Sequence, residues 1–175
     1  METTATILEI IDILNEDDGA MIPRPASEDD IAECNMALNE LVLPALPADY
    51  IEFLKINNGL AWNGIEFYGT DNVSEADKPS GFLLIDIVTK SDDFDERYYD
   101  AIETDCLHIG RADEELYTYN ADKKTYEIRD LSAICEIYDE YETFADLFVA
   151  EVGTRLGLFS DVEECDDDGR YDAYD

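Results

Sequence analysis

The sequence predicts an α+β fold in which N-terminal helices and a C-terminal helix pack on a mainly antiparallel sheet. Three observations predict it. Before residue 58 the apolar positions recur at helical spacing in three separate stretches, and between 65 and 129 they alternate with polar ones in short runs parted by turn-forming residues. A last helical stripe, Phe144, Leu147, Phe148 and Val152, closes the patterned part of the chain. Residues 1–159 therefore read as one domain. Residues 160–175, dense in like charge and without an apolar face, read as a mobile acidic tail.

Each element has a local cause. Ile7, Leu8, Ile10, Ile11 and Leu14 form the stripe of a first helix, stopped by the acidic run before Gly19. Two prolines within 21–26 make that stretch an extended connection. Ser27 then suits the cap of a second helix, with Asp29 and Asp30 in the first turn where the helix dipole favours anions; Ile31, Cys34, Leu38 and Leu41 carry its buried side. Pro44 and Pro47 bend the chain into a third helix, with Pro47 in its first turn and Gly59 as a left-handed cap. Tyr50, Ile51, Phe53, Leu54 and Asn57 share its apolar face, and Glu52 and Lys55 face water. Trp62 falls in the loop that follows, where closing the core over the helix end outweighs anchoring a partner.

Ile65 and Phe67 alternate with Glu66 and Tyr68, as in a strand with one buried face. The group Phe82, Leu83, Leu84, Ile85, Ile87 and Val88 is too apolar for a loop and fits either a strand or a helix. Alternation resumes at Leu107 and Ile109, and again over 115–120 and 125–129, where a short polar turn makes a hairpin of an antiparallel meander. Residues 134–138 add an edge segment. Thr143 caps the last helix, expected to end near Gly153.

Across 46–69 the pattern L-P-x-D-Y-x-x-F-L-x-x-x-N-G, followed by G-I-x-x-Y-G, resembles the signature region of the SUKH superfamily, the Smi/Knr-type proteins. The likeness extends over roughly residues 46–150. Within it, 85–90, 107–120, 124–130 and 141–148 look like a bacterial subgroup called YrhA. The resemblance implies a SUKH-like α+β fold with no catalytic motif to transfer. It also implies a binding function, since many bacterial members are thought to be immunity proteins that neutralise polymorphic toxins, while yeast-type relatives act as regulatory adaptors in cell-wall synthesis.

Composition narrows the partner. With 45 Asp plus Glu against 11 Lys plus Arg, the 175 residues carry a formal net charge of −34, which repels polyanions and favours basic proteins. Nucleic-acid binding needs clustered cations to displace phosphate counterions, and none occur. The four cysteines are scattered, without a C-x-x-C pair or a secretory leader, which points to reduced thiols and a cytoplasmic location. No apolar run approaches bilayer length, so membrane attachment is not expected. The expected partner is thus a basic protein, a toxin domain on the family resemblance.

The candidate contact surface is the acidic, aromatic-studded run Asp92, Asp93, Phe94, Asp95, Glu96, Tyr98 and Tyr99, whose competing reading is a connector with its rings tucked into the core. No catalytic, cofactor or metal residues are nominated. Cys106 and His108 lack an orienting third group, and the cysteines lack zinc-ligand spacing. Glu164, Asp166, Asp168, Gly169, Asp172 and Asp175 match EF-hand loop spacing, but the end residues are wrong for calcium and no helix pattern follows them. Phosphate-cradling glycine motifs are missing too.

Overall fold

A computed structural model describes residues 2–40, 42–70, 106–133 and 135–158. Three helices come first: α1 (Glu2–Leu14), α2 (Glu28–Glu40) and α3 (Ala48–Ile56). Six strands follow: β1 (Leu60–Trp62), β2 (Ile65–Phe67), β3 (Cys106–Ala112), β4 (Glu115–Asn120), β5 (Thr125–Asp130) and β6 (Ile137–Tyr141). The chain then enters α4 (Phe144–Phe148), which runs on as a π-helical turn, Val149–Gly153. All described strand pairs are antiparallel, in sequence order β1-β2-β3-β4-β5-β6.

The helices form where the pattern places them. Ser27 and Asp30 make a reciprocal cap on α2: the Asp30 N–H donates to Ser27 Oγ at 3.1 Å and the Ser27 N–H to Asp30 Oδ2 at 2.8 Å. Thr143 caps α4 by accepting from the Asp146 N–H at 3.2 Å. In α1 the stripe is narrower than expected, because Leu8 is exposed while Ile7, Ile10, Ile11 and Leu14 are buried. Pro47 is the N-cap residue of α3 rather than part of its first turn, and Gly59, at φ 100°, lies beyond the C-cap Asn57.

On one face of the sheet sits an aromatic core. Phe53 of α3, Phe67 of β2, and Phe144 and Phe148 of α4 interlock with centroids 4.8–6.0 Å apart, and Phe67 stacks on Tyr117 at 5.2 Å. Tyr50 joins them edge-on to Phe144 at 4.8 Å. The four apolar side chains of α1 extend the same core.

Four expectations need correcting. Trp62 does close the core, but as the last residue of β1, a strand the sequence reading missed. Asn63 and Gly64 follow it with φ of 46° and 80°, the positive pair that a two-residue turn matched to strand twist requires. Secondly, β2 is buried on both faces, Glu66 and Tyr68 included. By strand alternation that second face continues through His108, Thr118, Asn120, Glu127 and Arg129, all buried. Its charges are tolerated because they are paired: Glu127 accepts from Arg129 and, at 3.1 Å, from Lys123 Nζ. Thirdly, the edge segment lies at Ile137–Tyr141, three residues beyond the expected 134–138, because a turn centred on Asp130, Ser132 and Ala133 occupies the earlier stretch. Lastly, the final helix passes Gly153 and reaches Arg155, with Gly157 at φ 72° beyond it.

Candidate interaction surface

The strongest motif, 46–70, is the first place to look for chemistry. Several of its polar groups bond back onto the fold. Tyr50, fully buried, donates its hydroxyl to two carbonyls, Tyr68 O at 2.5 Å and Ile109 O at 3.2 Å, tying α3 to β2 and β3. Asp49 accepts from Tyr126 Oη at 2.5 Å and from the Phe144 N–H at 2.8 Å, so one carboxylate joins α3, β5 and the start of α4. Asn58 donates to Thr70 Oγ1 and accepts from the Thr70 N–H, both at 2.8 Å. Gly69 lies so close that a Cβ there would sit 2.3 Å from the Asn58 carbonyl oxygen. Trp62 Nε1 donates to Asp17 Oδ2 at 2.8 Å. These residues build the scaffold.

Cys106 and His108 do not form a reacting pair. Arg129 Nη2 donates to Cys106 Sγ at 3.6 Å, whereas His108 lies edge-on to Tyr68 at 5.5 Å. Burial pushes the His108 imidazole down to about 4, and its Nε2 has no hydrogen-bond partner among the described residues. Among the described residues no three His, Cys, Asp or Glu side chains are placed to hold a metal ion.

What remains is a surface at one end of the sheet. The β3–β4 turn, strands β4 and β6 and the end of the last helix bring Asp113, Glu114, Glu115, Tyr138 and Arg155 around a concavity of about 410 Å³. Arg155 fixes one wall, donating from Nη1 to Asn63 O at 2.9 Å and from Nη2 to Asp113 Oδ2 at 3.3 Å. Tyr138 forms the other. Its hydroxyl donates to Asp130, which Ser132 and Ala133 hold in turn, and that carboxylate pushes the phenol up to about 12. Asp130 itself is lowered to about 2, first by Ser132 and then by Tyr138. Between the walls Glu115 is raised, by partial burial first and then by the nearby Glu151 carboxylate, with Asp113 and Asp139 adding to the crowding.

Beside the concavity β6 forms an outer strand whose side chains stand in solvent, with Ile137 39% and Tyr138 51% exposed and Asp139 and Glu140 exposed as well. Apolar and aromatic groups thus sit inside a ring of carboxylates.

The nominated run Asp92, Asp93, Phe94, Asp95, Glu96, Tyr98 and Tyr99 lies outside the described residues, as do residues 82–88 and the tail acids Glu164 to Asp175. Sequence reasoning passed over Glu115, Tyr138, Asp139, Glu140 and Arg155. The usable signal was the run I-Y-D-E-Y-E at 137–142, which holds strand-forming Ile and Tyr yet carries acids where a buried strand would not.

No helix among the described residues is long and apolar enough to cross a membrane. A model of the SMI1/KNR4 family (SUKH-1) matches residues 25–150. No curated protein matches the chain.

Proposed function

The chain belongs to the SMI1/KNR4 family (SUKH-1), and from that membership we propose that it is a non-enzymatic protein-binding domain, an immunity protein that neutralises a toxin by covering it with an acidic surface. The observation that carries this reading is the exposed acidic edge of the sheet around Tyr138, set against a family signature whose polar groups are spent on internal bonds. A nuclease toxin is the natural target, because its phosphate-binding cleft is basic. An inhibitor of formal charge −34 would be steered to such a cleft and would fill it. We read residues 1–159 as one unit, since α1, outside the matched range, supplies Ile7, Ile10, Ile11 and Leu14 to the common core.

The family match equally favours a second reading, a regulatory adaptor of the Smi/Knr type, for example in cell-wall synthesis. A pull-down of the tagged protein from lysate of its own cells at low salt, with and without a high-salt wash, separates the two. A near-stoichiometric, salt-sensitive partner with a basic toxin-like domain is the expected result. Recovery of envelope enzymes would replace immunity with the adaptor role, and a partner that survives high salt undiminished would refute electrostatic capture.

A further inference from the structure

We propose that the outer edge of β6 is where the partner docks, by laying an extended basic segment alongside it as an added strand. This rests on the protein-binding reading above and specifies its mode. The two edges of the described sheet differ. β1 is only three residues long, and its outer side is closed by a bridge in which Met21 and Ala61 exchange N–H···O bonds of 2.8 and 3.0 Å. β6 is five residues long, pairs only with β5 among the described strands, and leaves the side chains of Ile137, Tyr138, Asp139 and Glu140 in solvent. An unpaired strand edge is a row of backbone donors and acceptors ready to pair with another chain.

Charge decides which chain. Asp139 pairs across the ladder with Ile128 and Glu140 with Glu127, so the two acids point to opposite faces of the sheet. A strand added beside them therefore meets an acid on each face: Asp139 on one and, on the other, Glu140, which it shares with Lys123 Nζ at 3.3 Å, so adjacent cations suit it, the first of them against Asp139. A second copy of this chain is a poor occupant. Edge-to-edge pairing would set acids against acids on molecules that already repel each other at −34 apiece. The same acids that guard the edge against self-association thus admit a basic strand, and Tyr138, held by Asp130, offers it a fixed aromatic wall.

The test uses the intact protein and an acetylated, amidated hexapeptide with adjacent lysine and arginine between β-branched residues. A second peptide of the same sequence has alternate backbone amides N-methylated, so its charge is kept but its pairing edge is lost. Isothermal titration at low salt should show the first binding more than about tenfold tighter than the second, since N-methylation removes the backbone bonds along the pairing edge. Hydrogen exchange should show new protection confined to β6 amides. Asp139→Asn with Glu140→Gln should weaken the first peptide up to about tenfold. Equal binding of the two peptides, or binding of neither, overturns docking at this edge. Either result leaves the pull-down of a basic partner to stand or fall separately.

Discussion

Acidification should cost this fold stability through His108 before its depressed carboxylates are reached. His108 is 7% exposed in β3, its Nε2 has no hydrogen-bond partner among the described residues, and burial holds the imidazole down to about 4 against an ordinary value near 6.5. Between those two values the unfolded chain binds a proton that the folded chain refuses. Stability is therefore undiminished above about 6.5, falls as pH falls through the window, and is fully lost by this group below about 4. At 1.36 kcal/mol per unit the whole loss is about 3 kcal/mol, of which about 2 kcal/mol has gone by pH 5.

Other groups titrate lower. Asp30 and Glu127 are held below their ordinary values, and Asp130 at about 2, so their contributions fade only under more acid conditions. Protonating other carboxylates of a chain at −34 has the opposite sign, because it relieves repulsion. A double difference cancels these terms. Urea unfolding of the wild type and of His108→Asn, at pH 7.5 and pH 5, should show the wild type losing about 2 kcal/mol more than the variant. A difference below about 0.5 kcal/mol would refute the claim that this imidazole is buried neutral.

Three further substitutions test the scaffold by thermal or urea unfolding. Tyr50→Phe removes the hydroxyl shared by the Tyr68 and Ile109 carbonyls and should cost about 1–2 kcal/mol with the ring packing intact; no loss would mean the bonds are not made. Asp49→Ala strips the acceptor from the Phe144 N–H and the Tyr126 hydroxyl and should cost about 2 kcal/mol, with Asp49→Asn recovering much of it. Gly69→Ala drives a methyl to 2.3 Å from the Asn58 carbonyl and should cost about 3 kcal/mol; a neutral result would show that the backbone there yields freely.

Local signals made much of the fold legible. Ser27 and Thr143 cap the helices they were expected to cap, and β4 runs over Glu115–Asn120 as the alternation indicated. Failures came where local rules compete. Residues 60–62 are too short to display alternation, so β1 was read as loop, and the Asn63-Gly64 turn that marks it was absorbed into that loop. Ile134 drew the edge segment forward, although Asp130 organises a turn there and delays the strand to Ile137. Burial of the second sheet face was illegible because its members, among them His108, Glu127 and Arg129, are residue types expected in water.

The candidate surface was harder still to read. Glu115, Tyr138 and Arg155 are separated in sequence and meet only because β4 and β5 set Glu115 opposite Asp130, Asp130 holds Tyr138, and Arg155 bonds to Asn63 O and Asp113. No spacing rule along the chain encodes that meeting. The same reasoning explains why the recognisable motif and the proposed working surface are different places. Tyr50, Asn58 and Gly69 join elements through buried bonds and close contacts, and the exposed Asp49 joins them through part-buried ones, so a change at any of them strains the fold itself. The β6 edge has a lighter duty: Asp139 stands in solvent, and Glu140, also exposed, makes one surface ion pair with Lys123 Nζ at 3.3 Å, so substitution there costs the fold little. A fold that fixes its frame with one set of residues and presents its charge with another is free to change partners without changing shape.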